Sequence, residues 1–221
     1  MLIGLRNAML GGKRLPYDAE VEYVHIPSGG YFDTGYAGIG SRTGGWHGVL
    51  RITAWSNTSY DSYWGATYEN GSYSFNFRRY NNTAHVYAMT DQPQGGWFPV
   101  SLNTWLDVKM NVGTTDRNVY LDNVFKQSVS SQRNVTYPVS VFVGALNYMN
   151  HDEVIRPESE FDLKSFKLYD NSLAEPLVRD FIPVRIGSEG AFFDRVTGEV
   201  KRNIGTGVFT PYGTSTSSGG V

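Results

Sequence analysis

Apolar and polar residues alternate along much of this chain with a period of two, the spacing that sends successive side chains to opposite faces of a strand. Val49, Arg51, Thr53 and Trp55 oppose Leu50, Ile52 and Ala54, and Tyr73, Phe75 and Phe77 alternate with Ser74 and Asn76. Residues 105–112 put Leu106, Val108, Met110 and Val112 on one face. Residues 118–126 read as two short strands around a turn at Asp122-Asn123, and residues 139–144, 161–169 and 177–185 continue the rhythm. No window shows the i, i+3, i+4, i+7 apolar stripe of a helix, and the nearest approach, residues 172–178, is interrupted by Pro176. Strands recurring without helices between them predict an all-β fold, a two-sheet antiparallel sandwich. The helix content expected is under about 10%, far below the usual 30–35% or so.

Composition narrows the chemistry. The chain has 221 residues, which fits one domain, and it can bury roughly 70% of its unfolded surface without staples. It contains no cysteine, which excludes a disulfide framework, a thiolate metal site and a thiol nucleophile. Nineteen basic residues against 21 acidic leave a net charge of −2, so there is no cationic excess to displace phosphate counterions, and nucleic acid is not an expected partner. No apolar run approaches the ~20 residues of a membrane span. Residues 1–13 lack a secretory core of ~7–15 apolar residues. They read as an arm preceding a domain at 14–213, with 214–221 a low-complexity tail.

Three stretches carry a family resemblance. They are residues 14–23 (RLPYDAEVEY) with 31–35 (YFDTG), residues 161–170 (FDLKSFKLYD), and residues 177–185 (LVRDFIPVR) with 191–198 (AFFDRVTG). Together they resemble concanavalin A-like, laminin-G-like jelly-roll proteins of gut bacteria and their phages. The resemblance implies a jelly roll of two curved antiparallel sheets, often used for glycan or surface attachment. It transfers no ligand and no catalytic residue, because fold alone does not establish function.

The residues themselves offer several candidate sites. Sugars stack their apolar C–H faces on aromatic rings, so aromatics in turn-rich contexts are glycan-binding candidates. These are Trp46, Tyr60, Tyr63, Trp64 and Trp97, of which two or three are expected to be core instead. Trp55 and Trp105 border alternating strands and read as packing residues. Asn147, Asn150, His151, Asp152 and Glu153 form an oxygen-rich segment suited to calcium, the one cofactor the sequence suggests; loops are also rich in such residues for turn-forming reasons. Glu158, Glu160 and Asp162 share a strand face at about 6.6–6.8 Å per step, compatible with the paired carboxylates of glycoside hydrolysis. The order departs from the Glu-x-Asp-x-Glu motif of glucanases on this fold, so a solvated strand start is the competing reading. No nucleophile elbow or phosphate loop is present.

A recognition fold, no cysteine and no export pattern are together satisfied by a virion protein. The sequence therefore predicts a non-enzymatic phage structural or adhesion protein that binds host or mucosal glycans, with residues 1–13 docking on other virion proteins or on another copy. The alternatives are a bacterial surface carbohydrate-binding module and, further off, a glycoside hydrolase using Glu158 and Glu160. Any glycan site is expected on loops bearing Trp46, Trp64 or Trp97 rather than on the carboxylate strand.

Overall fold

The computed structural model of the protein describes residues 15–56, 61–68, 73–79, 83–91, 97–112, 117–128, 135–148 and 160–213. Its first strands are β1 (Ala19–Glu20), β2 (Tyr23–Ile26), β3 (Phe32–Asp33), β4 (Ile39–Gly40), β5 (Gly44–Ala54), β6 (Ser62–Tyr68) and β7 (Tyr73–Arg79). Next come β8 (His85–Asp91), β9 (Phe98–Pro99), β10 (Trp105–Met110), β11 (Asn118–Leu121), β12 (Val124–Ser128), β13 (Thr136–Tyr137) and β14 (Phe142–Val143). The last are β15 (Asn147–Tyr148), β16 (Glu160–Asp170), β17 (Leu177–Ile186), β18 (Glu189–Asp194), β19 (Val200–Lys201) and β20 (Thr210–Tyr212). No described residue is helical.

The strands form two large sheets. One runs β12-β11-β10-β5-β16-β17-β18-β19, with β2 and β20 joined beside β16 and β1 beside β17. The other runs β3-β14-β6-β7-β8-β9, with β15 beside β6; that pairing is parallel and the other described pairings are antiparallel. The expected two-sheet antiparallel jelly-roll sandwich is therefore the fold. The period-two reading holds where it was clearest: Leu106, Val108 and Met110 are buried while Trp105, Asp107 and Lys109 alternate outward. The turn at Asp122-Asn123 has φ of 51° and 63°, a left-handed pair suited to a two-residue hairpin between β11 and β12.

Aromatic rings from both sheets fill the space between them. Trp46 on β5 meets Trp64 on β6 edge to face at 5.1 Å, Tyr63 meets Phe161 at 5.5 Å, and Phe32 stacks on Phe192 at 4.8 Å. Each such ring contributes roughly 1.5–3 kcal/mol by leaving water. Strand β16 has to change parity to keep this core. Phe161 and Leu163 face inward, but so do Phe166 and Leu168, an odd step later. A bulge between Leu163 and Ser165 absorbs the extra residue and returns the apolar side chains to the core.

Residues that carried the resemblance tie β17 and the turn after β18 to the segment after β3. The Asp194 carboxylate accepts the amides of Asp180 (2.9 Å) and Val196 (3.0 Å) and the Thr197 hydroxyl (2.9 Å), and it faces the Arg179 guanidinium at 3.5 Å. Arg179 in turn donates to the carbonyls of Thr34 and Gly35, at 2.9 Å each. Gly35 and Gly198 both take positive φ (67° and 77°), the backbone form the 33–35 and 194–198 turns require. Nearby, the Tyr36 hydroxyl donates to Asp170 at 2.8 Å.

Candidate functional site

Three of the five aromatic candidates are core. Trp46, Tyr63 and Trp64 are wholly buried and packed ring on ring with Phe77, so none offers a face to a sugar. Their glycine neighbours make room for the indoles. A Cβ on Gly48 would lie 2.5 Å from the Trp64 ring. Burial also pushes the Tyr63 phenol well above its ordinary pKa. Trp97 is 51% exposed and sits edge-on to His85 at 4.7 Å. Tyr60 lies outside the described residues, as do Asn150, His151, Asp152, Glu153 and Glu158. Asn147 spends its amide on the Ser140 carbonyl at 2.8 Å. Among the described residues no three His, Asp or Glu side chains gather around a point fit for a metal ion.

Besides Trp97, accessible aromatic surface lies on the outward face of the larger sheet. Cross-strand register sets Trp105 (β10), Arg51 (β5), Asp162 (β16), His25 (β2) and Thr210 (β20) side by side in one row. Tyr23 pairs with Tyr212 beside it, and their rings stack at 5.1 Å and 11°. Tyr23 also meets Trp105 edge to face at 5.5 Å, although three strand spacings separate their backbones. The two rings lean together over the Arg51 guanidinium, which lies 5.1 Å from the Tyr23 centroid and 4.9 Å from that of Trp105. The bulged residue, Lys164, brings its ammonium to 4.0 Å from the Trp105 ring. Trp105, read from sequence as packing, is thus part of an outer platform. Trp55 does pack against the core edge, with Arg79 at 5.5 Å over its ring.

The charges of this row are largely committed to each other. Arg51 donates through Nε (2.7 Å) and Nη2 (2.5 Å) to one oxygen of Asp162, and His25 Nδ1 lies 2.9 Å from the other. The bond to Asp162 holds the Arg51 pKa above its ordinary value. Asp162 is 3% exposed with both oxygens engaged, so it is poorly placed to exchange a proton with a substrate. Glu160 differs: its side chain is 39% exposed, with Thr53 Oγ1 at 3.5 Å and His25 Nε2 at 3.8 Å. Tyr212 is 45% exposed, backed on Tyr23 and flanked by His25 edge-on at 6.5 Å. A half-open ring beside an imidazole whose other side faces a half-exposed carboxylate can stack a sugar and bind its hydroxyls. The same geometry lacks, among the described residues, a second available carboxylate for hydrolysis.

Sequence reasoning missed this site because it joins five strands drawn from residues 23 to 212. The signals within reach were the outward positions of the alternating strands and the parity break at Lys164.

The architecture belongs to the jelly-roll sandwiches of the concanavalin A-like kind. Among solved structures, the chain is similar to a proposed carbohydrate binding protein from Bacteroides ovatus, at TM-score 0.51 and 10% identity, over 87% of this chain and 60% of that one. It spans, then, about 60% of the length of that protein. It is also similar to the heptameric SAP-like pentraxin of Limulus polyphemus, at TM-score 0.49 and 11% identity, over 71% of this chain and 79% of that one. No family model and no curated protein sequence matches.

Proposed function

We propose that this protein binds carbohydrate, without turning it over, on the outward face of its larger sheet. The Tyr212 ring, supported by Tyr23, stacks on a pyranose, and Glu160, His25 and Thr53 meet its hydroxyls. The observation that carries this is a half-exposed Tyr212 ring, stacked on Tyr23, that shares the His25 imidazole as a neighbour with the half-exposed Glu160 carboxylate. The fold-level likeness to a protein proposed to bind carbohydrate supports the same class. The site suits a virion decoration protein and a bacterial surface module alike; in the virion reading residues 1–13, which lie outside the described residues, would dock on other virion proteins or on another copy.

The test is a glycan array followed by affinity measurement on the best ligand. Tyr212→Ala should weaken binding about tenfold, since a stacked ring contributes roughly 1–2 kcal/mol. Glu160→Gln should weaken it less, and no reducing sugar should be released by any form. Binding indifferent to both changes but lost in Trp97→Ala would move the site to the β8–β9 edge. Sugar release that vanishes in Glu160→Gln would replace binding with hydrolysis.

A further inference from the structure

A second row crosses the same outward face. Register places Phe125 (β12) against Tyr120 (β11), Tyr120 against Lys109 (β10), Lys109 against His47 (β5), and His47 against Lys167 (β16). Phe125 is 53% exposed and meets Tyr120 edge to face at 5.9 Å; the Lys109 ammonium lies 5.7 Å from the Tyr120 centroid. The row thus begins as an open aromatic shelf and continues as two ammoniums on either side of an imidazole.

These cations are lightly held. Lys109 gives one of its three donors to the neutral Asn123 side chain at 2.6 Å. Lys167 faces Asp180, but at 3.9 Å, beyond hydrogen-bond range. The other oxygen of Asp180 is already taken by Arg195, through Nε at 2.9 Å and Nη2 at 2.5 Å. His47 is oriented by Asp107, whose Oδ1 lies 2.9 Å from Nε2. Strand spacing sets the two lysine backbones roughly 10 Å apart, so both side chains can converge on one anionic group above His47. On β5 this row lies four residues from Arg51, about 13 Å from the first row, far enough to engage a different part of a ligand.

We propose that Lys109, His47 and Lys167, with the Phe125–Tyr120 shelf, form a second binding line that selects an acidic saccharide, one carrying carboxylate or sulfate groups. This rests on the carbohydrate-binding reading and names its ligand class. The aromatic shelf takes the apolar face of a sugar ring, and the two ammoniums take its acidic group through charge-assisted hydrogen bonds.

The probes are an oligogalacturonate, its methyl ester as the uncharged counterpart, and a heparin oligosaccharide for sulfate, each at low and high salt. Wild type should bind an acidic form about tenfold more tightly than the ester, with a preference that shrinks in high salt. Lys109→Gln with Lys167→Gln should bring that preference to within about twofold while leaving ester binding and the circular dichroism spectrum unchanged. Whether carboxylate or sulfate is preferred follows from comparing the two acidic probes. Tyr212→Ala should weaken all probes alike and preserve the preference. Equal binding of acid and ester by wild type, or a preference that survives the double lysine change, overturns the inference and leaves carbohydrate binding intact. A sugar-free polyanion bound as tightly, with no effect of Phe125→Ala, also overturns it. Failure of every glycan, charged or not, overturns the underlying reading instead.

Discussion

Gly48→Ala should destabilise the protein even though the same change usually helps in a chain of ordinary backbone geometry. Replacing glycine by alanine at a compatible site gains about 0.4–1 kcal/mol by restricting the unfolded chain. Here the new methyl would sit 2.5, 3.0 and 3.2 Å from three carbons of the Trp64 six-membered ring. That ring cannot retreat, because Trp46 (5.1 Å), Phe77 (4.9 Å) and Phe166 (5.2 Å) surround it. Overpacking of this kind costs about 1–3 kcal/mol, enough to reverse the sign of the change. Urea denaturation followed by circular dichroism should show a lowered midpoint with an unchanged slope. Thermal melting should fall by roughly 2–4 °C for each kcal/mol lost. Trp64→Phe withdraws the offending atoms, so the double variant should be more stable than the sum of the single effects by about 1 kcal/mol or more. A Gly48→Ala protein as stable as wild type would refute the claim that β5 and β6 are spaced by a bare backbone under an indole.

Other perturbations have defined signs. Burial would raise the Asp170 carboxyl, but bonds from Ser172, from its amide and from Tyr36 together hold it below its ordinary value. Its stabilisation is therefore present above that ordinary value, 3.8, and is lost as pH falls through the lower folded value; Asp170→Asn should flatten this limb in urea titrations at acid pH. Burial first, and then the bond to Asp170, push the Tyr36 phenol up to about 12. Its contribution is complete below its ordinary value of 10.0 and disappears as pH rises towards about 12, so Tyr36→Phe should lose the alkaline slope. Asp162→Asn breaks a carboxylate that is nearly buried, but Arg51 is 27% exposed, so the expected loss is about 1–3 kcal/mol, read as a lower urea midpoint. If residues 1–13 act as the docking arm read from the sequence, removing them should abolish self-association or particle incorporation while the circular dichroism spectrum and melting stay unchanged; a truncated form that assembles like wild type refutes the arm.

The sandwich was legible in the sequence because its signal is local. Each strand announces itself by alternation, and turns such as Asp122-Asn123 need only two residues to specify their backbone. The tryptophans misled for a physical reason. Glycine beside Trp46 and Trp64 looked like loop punctuation, whereas Gly44, Gly48 and Gly65 lie inside strands where a Cβ would strike Phe75, Trp64 or Asn76. In a thin two-sheet core, glycine opposite an aromatic marks close approach rather than a turn. The outward site was illegible because it depends on register between distant strands. Nothing in the neighbourhood of Arg51 says that Trp105, Asp162 and His25 will stand beside it.

The central pairing of β5 with β16 also governs how the chain can be made. Arg51 and Asp162 are separated by 111 residues in sequence. At a synthesis rate of roughly 5–20 residues per second, β5 leaves the ribosome about 6–20 s before its partner exists. For the first half of that interval neither partner of β5 exists; once β10 is made, Trp46, Leu50 and Ile52 are covered on one edge only, and the other edge offers unsatisfied backbone to any extended neighbour. Folding must then wait for nearly the whole chain, and closure over such a span is slow. Nascent copies on one messenger would meet as open-edged half-sandwiches, so slower initiation or a co-expressed holdase should raise the soluble yield more than any change to the finished surface.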